Sequence, residues 1–497
     1  MRDADVIVVG GGGSGLAAAA EAASLGRKVV LLEKGAKLGG STAWSVGSIS
    51  ATNTPQQRRA GIVDHPDAHF EDLETLAGAK SNRDNRALRR LLVDNITETM
   101  AWLERAGLVF VGPNPEPPHR LPRMHNVLPS SRAFPEMLGR HCRKLGVDVR
   151  LDTLASGLIV EGGRVVGVRT QSQGRPEGSL RCRGGVVLAG GDFAASREMK
   201  AELAGPATAM LEAVNPGATG DAIRIARAIG AVVVNGDIVR GPIMRFVPPT
   251  SESLLRRVPP RRWLARLLAL SHTYLPDAVK RPIAMSFLTT ALGPARELFQ
   301  AGAILVNRDG RRFTDERDRP SDGVPDQPDR MAYIVMDAAM AARFSAWPNF
   351  ISTAPGIAYA YLADYKRNRR DIYREAPDVA GLARALDMPE ANLSAALAEM
   401  GTDGRPRIAP GPLVALGPVK SYVVFTDGGL QVTDRLEVVG PDGGPIPGLY
   451  AAGSTGQGGV LLEGHGHHLG WAFVSGRIAG RHAALTIPAA VDISTKA

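Results

Sequence analysis

The chain has 497 residues, enough for two or three domains around a sizeable core. It carries 59 basic and 50 acidic residues, but aromatics are only 5% and are not interleaved with the basic ones, so nucleic-acid binding is not expected. Cys142 and Cys182, the two cysteines present, exclude a disulfide framework and any cysteine-based metal or iron–sulfur site. No run of about 18 uninterrupted apolar residues predicts a transmembrane helix, and four glycines interrupt the N-terminal apolar segment where a signal peptide would be continuous. The expected location is the cytoplasm.

Residues 5–9, DVIVV, read as a strand buried on both faces. GGGGSG follows and supplies G-x-G-x-x-G as Gly10, Gly12 and Gly15, with Gly13 and Ser14 inside the turn. The alanine-rich LAAAAEAASLG predicts a helix closed by Gly26, and KVVLLEK a second strand ending at Glu33 and Lys34. This order of strand, glycine turn, helix, strand and acid is a dinucleotide-binding unit. The glycines let the backbone approach a pyrophosphate, the helix N-terminus faces the phosphates, and Glu33 can accept from a ribose hydroxyl. A second glycine- and hydroxyl-rich loop comes next, with Gly39, Gly40, Ser41, Thr42, Ser45 and Gly47.

That second loop resembles the FAD-binding flavoproteins of the fumarate reductase and succinate dehydrogenase superfamily. Further segments resemble the same family in the same order: VVLAGGDF (186–193), GATGDAI (217–223), GAILVNRDGRRFTDE (302–316), TDGGLQV (426–432) and PIPGLYAAGS (445–454). The resemblance implies an α/β fold, a Rossmann-like FAD-binding domain with an inserted α+β substrate-capping domain. It places the flavin domain at residues 1–240 and 420–497 and the cap at 241–419. It also assigns Ala189, Gly190, Gly191, Asp221, Gly453, Ser454, Gly466, His468 and Leu469 to the cofactor site. The covalent members of the superfamily attach flavin through a histidine where this chain has Gly40-Ser41-Thr42, so the FAD is expected to be non-covalent.

Within the cap, residues 254–282 carry seven Arg/Lys and one acid, with Trp263, Leu264, Leu267 and Leu268 at helical spacing. Such a helix can lie on an anionic membrane, or pack its apolar face on the flavin domain, and packing is the expectation.

The branch is read from EGHGHHLGW (463–471). Aligned on the dicarboxylate reductases, Glu463 stands where a carboxylate-binding arginine belongs, Phe299 replaces the proton-donating arginine, and Phe425 or Thr426 replaces a histidine. An acid at that point repels a dicarboxylate substrate. The 3-ketosteroid dehydrogenases fit better. Their polarising glycine falls on Gly466, although their tyrosine becomes Leu462. The reading is α,β-desaturation, or reverse ene reduction, of a lipophilic cyclic ketone such as a 3-ketosteroid. Candidates for the proton are His465, His467, His468, Tyr359 and Tyr361, with Arg123 and His125 as further polar residues. The alternatives are a reductase of an unsaturated carboxylate anchored by Arg123 or Arg296, and a flavin-binding redox subunit without its own substrate. No metal is expected, because neither HExxH nor a distant Cys/His set completes His465, His467 and Glu463 as ligands. With no CxxCH and no second NAD fingerprint, a separate electron acceptor or donor is expected.

Overall fold

A computed structural model describes residues 3–487, apart from 173, 175, 250–257, 275, 277–280, 282–284, 286–287, 291, 355–357 and 400–407. The fold is α/β, as expected. Strand Ala4–Val9 is buried along its whole length, between Val29–Leu32 and Gly178–Leu188 and parallel to both. The sheet runs Glu437–Val439, Pro445–Ala451, Gly178–Leu188, Ala4–Val9, Val29–Leu32, Asp148–Arg150, and its first pair is antiparallel. Because both faces are covered, DVIVV has no polar side to alternate with.

The alanines of helix Gly13–Ser24 permit close approach of helix His467–Leu485. A Cβ on Gly476 would lie 2.3 Å from the Ser14 carbonyl oxygen, and one on Gly480 2.2 Å from that of Ala18. Spaced four apart, these glycines form a groove that only small residues can face. Glu21 locks the pair by accepting from Arg477 at 2.9 Å and Arg481 at 3.0 Å.

A second sheet is centred on Leu413–Val423. Ala332–Asp337, Ile243–Phe246 and Tyr373–Ala376 pair with it antiparallel, and Glu212–Ala213 parallel. Alternate residues serve two cores: Met336 and Leu416 join one with Phe246 and Phe299, while Val335 and Ala415 join another with Leu382 and Leu393. Leu413–Val423 runs unbroken through residue 419, where the cap was expected to end.

Helix Arg262–Tyr274 lies against strands Val109–Asn114 and Met124–Leu128, with Leu264 and Leu268 half-buried. Ala265 is 3% exposed, but Trp263, Leu267 and Leu270 are 63%, 53% and 54% exposed. The helix leaves a large apolar stripe uncovered. Residues 254–257, 275, 277–280 and 282 of this basic stretch lie outside the described residues. Among the described residues, no helix is long and apolar enough to cross a membrane.

Candidate active site

The nucleotide cradle is built from backbone contacts. Gly10 has φ +109°, and a Cβ on Gly15 would lie 1.8 Å from the Gly10 carbonyl oxygen, so neither position admits a side chain. Gly12 heads the first helix with no side-chain cap, and there is no acid in its first turn. The helix therefore offers its N–H groups and positive dipole end to an anion. Glu33 accepts from the N–H groups of Gly11 and Gly35, each at 2.7 Å. The second loop is stitched to the first: Gly39 N–H donates to Gly11 at 2.9 Å, and Thr42 Oγ accepts from Gly13 N–H at 3.0 Å. Ser41 accepts from Asn215 at 2.8 Å, while Ser45 donates to the Thr42 carbonyl and accepts from Gly47 N–H.

The other walls arrive from later segments. Ala189 N–H donates to Val9 at 2.7 Å. Gly190 leaves room for Ala222, to whose Cβ its own would lie at 2.7 Å. Thr455 donates to the Gly191 carbonyl at 2.9 Å, Gly453 N–H donates to Ser475 at 2.8 Å, and Gly429 makes way for the Ser454 carbonyl. Lys34 pairs with Asp221 at 2.6 Å. Burial acts to raise the Asp221 pKa, but bonds from Lys34 and Thr219 outweigh it and hold the carboxyl below its ordinary range. An uncapped helix N-terminus, a glycine floor and a hydroxyl-lined second loop fit the pyrophosphate of FAD. Leu469, 9% exposed, is in the first turn of the last helix.

At the other end of the site, Gly466 heads helix His467–Leu485 with φ +89° and no side-chain cap. Its Cβ would lie 2.4 Å from Ser50 N. Among the described residues no acceptor is found for its N–H. Ser50 Oγ donates to the His465 carbonyl at 2.7 Å and pins the loop.

The structure sends the three histidines in different directions. His465 is the outward one: its Nδ1 is 2.5 Å and its N–H 2.7 Å from Glu116 Oε1, and this bond raises its pKa against the effect of burial. His467 is fully buried, with Nδ1 2.6 Å from the Glu463 carbonyl and Nε2 3.1 Å from His69 Nε2. Burial, then the neighbouring His119, drives its pKa well below the ordinary histidine value. His468 lies on Phe425, ring centres 3.9 Å apart, and 3.4 Å from Asp427, with burial pushing it down to about 4. Glu463 turns to a third partner, Arg240. The set His465, His467 and Glu463 therefore does not converge.

Several residues here gave no signal in the sequence. Arg240 and Arg245 both lie close enough to His465 to depress its pKa. Arg245 has no hydrogen-bond or ion-pair partner among the described residues, and burial lowers its pKa. Ile243 pairs with Tyr422 and Arg245 with Lys420, which puts these four on one face of the second sheet. Burial, then Glu212, pushes the Tyr422 hydroxyl up to about 12, with Arg245 opposing. Two arginines flanking the point where the βα rhythm stops (RGPIMRF, 240–246) were the available clue.

Tyr359 and Tyr361 are not brought to this loop by their contacts. Tyr359 stacks on Trp347 and Phe350, and Tyr361 caps a helix beside Asp364 and lies under Arg281. Arg123 is fully buried and committed to two carboxylates: Asp64, at 2.7 and 2.8 Å, and Asp72. His125 is buried between the Arg123 carbonyl and Thr54, with burial pushing its pKa down to about 4. Arg296 is exposed and donates to the Arg317 carbonyl at 3.2 Å. Neither arginine is poised as an anion anchor.

The profile of the FAD binding domain family matches residues 5–245 and 288–462. The chain belongs to this family. It is 28% identical to the NADH:fumarate oxidoreductase of Klebsiella pneumoniae, over 91% of this chain and 44% of that protein, and so spans less than half of that relative. It is 26% identical to a KsdD-like steroid dehydrogenase of Mycobacterium tuberculosis, over 97% of this chain and 96% of the other. An open-conformation flavocytochrome c3 fumarate reductase has the same fold, with a TM-score of 0.74 at 23% identity, covering 97% of this chain and 78% of that one. It is an FAD-binding flavoprotein similar to proteins named as fumarate and steroid oxidoreductases. FAD is its cofactor.

Proposed function

We propose that this flavoprotein desaturates, or in reverse reduces, the α,β bond of a lipophilic cyclic ketone, with 3-ketosteroids as the type of substrate. The observation that carries this reading is the Gly466 N–H at the head of the last helix, for which no acceptor is found among the described residues. A donor there, backed by the helix dipole, stabilises an enolate oxygen as it develops. The charges around it suit a neutral substrate. Arg240 lies against Glu463 and Asp427, and His465 against Glu116, so most of the charge here is paired within the protein. FAD, when bound, exchanges hydride with the β-carbon.

The α-proton falls to His465. Its side chain is 54% exposed, whereas those of His467 and His468 are 0% and 20% exposed and Tyr359 and Tyr361 make their contacts elsewhere. Its bond to Glu116 orients the ring and keeps the charged form to higher pH.

One observation favours a second reading: Arg245, without an anionic partner, suits an unsaturated monocarboxylate. Anaerobic mixing separates the two. A saturated 3-ketosteroid is expected to bleach the flavin band of the oxidised holoenzyme. If instead reduced enzyme is reoxidised by an α,β-unsaturated carboxylate while ketones leave the flavin untouched, the ketone reading fails. No response to either class would point to a redox subunit without its own substrate. In each case a separate electron acceptor or donor completes the cycle.

Trp263, Leu267 and Leu270, exposed beside Arg261, Arg262 and Arg266, support contact with an anionic membrane surface, where a lipophilic ketone would be concentrated. Co-sedimentation with phosphatidylserine vesicles at low salt is expected, weakened several-fold in Trp263→Ala/Leu267→Ala. Equal recovery of the protein with and without vesicles would remove membrane contact from the proposal.

A further inference from the structure

His69, His119 and His467 come from distant parts of the sequence and meet in one buried cluster, 0%, 9% and 0% exposed. We propose that this cluster binds a divalent transition-metal ion of the zinc type, independently of what the flavin acts on. Their ring centres are 5.7, 5.3 and 5.1 Å apart, and a ligand atom from each lies within 4.8 Å of the others. With metal–nitrogen bonds of about 2.0–2.1 Å, tetrahedral angles place ligand nitrogens about 3.3 Å apart and ring centres about 5 Å apart. His69 Nε2 and His467 Nε2 are 3.1 Å apart, so little movement is needed to admit an ion between them.

The tautomers are partly set. His467 Nδ1 donates to the Glu463 carbonyl at 2.6 Å, which leaves the Nε2 lone pair pointing into the cluster. A ligand histidine is commonly oriented by such an outer bond. His119 Nε2 is buried with no hydrogen-bond partner among the described residues. Its Nδ1 accepts from Arg123 at 3.0 Å; an ion on Nε2 would put the ring proton on Nδ1 in place of that bond, with Asp72 Oδ2, 3.6 Å away, as its acceptor.

The charge around the cluster is close to balanced, so it is the imidazole lone pairs that would hold a cation. Arg123 faces both Asp64 and Asp72, one positive group against two negative ones, before the half-exposed Arg120 is counted. Three neutral imidazoles without a thiolate suit Zn²⁺, Co²⁺ or Ni²⁺ rather than Mg²⁺ or Ca²⁺, and water would complete four-coordination. Such an ion would tie the start of the last helix, one residue beyond Gly466, to helix Pro66–Ala77 and to the segment around His119.

The test uses untagged, FAD-loaded protein stripped with a chelator and then titrated with Zn²⁺ or Co²⁺. One Zn²⁺ per chain is expected to survive desalting, and Co²⁺ to give tetrahedral d–d absorption at wavelengths beyond the flavin bands. His119→Ala is expected to weaken binding more than about 100-fold, exceeding the loss of an outer-shell contact. His65→Ala, an exposed histidine outside the cluster, should match wild type. Flavin content equal to wild type shows that a variant is folded, and His69→Gln serves if His119→Ala is not. Zn²⁺ retention that is the same in wild type and the folded cluster variant, or absent from both, overturns the proposal.

Discussion

Arg123→Ala is expected to lose about 3–5 kcal/mol of stability at neutral pH, the usual cost of removing one partner from a buried ion pair. The guanidinium is 0% exposed between Asp64 and Asp72, which are 0% and 5% exposed at the side chain. Without it Asp64 is left buried with no cation, since Arg120 reaches only Asp72. In the native protein burial acts to raise both pKa values, but Arg123 overrides it and lowers them. The stability they contribute is therefore complete above the unfolded carboxylate pKa and is lost as pH falls through the folded values. The variant should behave oppositely. Its uncompensated Asp64 ionises at a cost, so acidification from pH 7.5 to 5 recovers part of the deficit. Denaturation midpoints at the two pH values measure this. A variant within about 1 kcal/mol of wild type at pH 7.5 would mean that the network is not what holds this region.

Gly466→Ala is expected to retain flavin and lose turnover by about 100-fold or more, the range seen when an oxyanion donor is misplaced. The added Cβ would lie 2.4 Å from Ser50 N, and φ is +89°, so the helix start has to move and carry the N–H with it. Gly470→Ala, one turn on, provides the control. There a Cβ meets the flexible end of Ile96 at 3.1 Å and calls for a much smaller adjustment. Flavin absorbance reports retention, and anaerobic bleaching reports the chemistry. Wild-type bleaching by Gly466→Ala would dismiss the glycine as an oxygen-binding donor.

The two predictions concern residues of very different legibility. Gly466 could be found because the family fixes a glycine beside a recognisable motif, and the flavin half could be found because phosphate binding needs close backbone approach at fixed spacing. Strand, turn, helix and acid are local, so residues 5–33 contain the whole argument. Arg123 could be named but not interpreted, because its partners Asp64 and Asp72 lie 59 and 51 residues away and carry no pattern. The same holds for Glu116, which claims His465 from 349 residues away, and for Arg240, which claims Glu463. The histidine run looked like one functional group in sequence. A helix start turns successive side chains outward, inward and sideways, so its members belong to three environments. The apolar stripe on helix Arg262–Tyr274 was visible, but whether anything covers it depends on what folds over it.

The groove between Gly476, Gly480 and the alanine helix has a consequence for biosynthesis. The phosphate-facing helix is specified by the first two dozen residues, yet the surface it packs on is translated some 450 residues later. Until then it has helix Ala133–Lys144 and the sheet beside it but lacks the partner for its closest contact, and alanine helices of a dozen residues are marginal in water. FAD capture is therefore expected to follow synthesis of helix His467–Leu485, and ribosome-bound intermediates ending before residue 476 should emerge colourless. A segment made early would be among the last to become native.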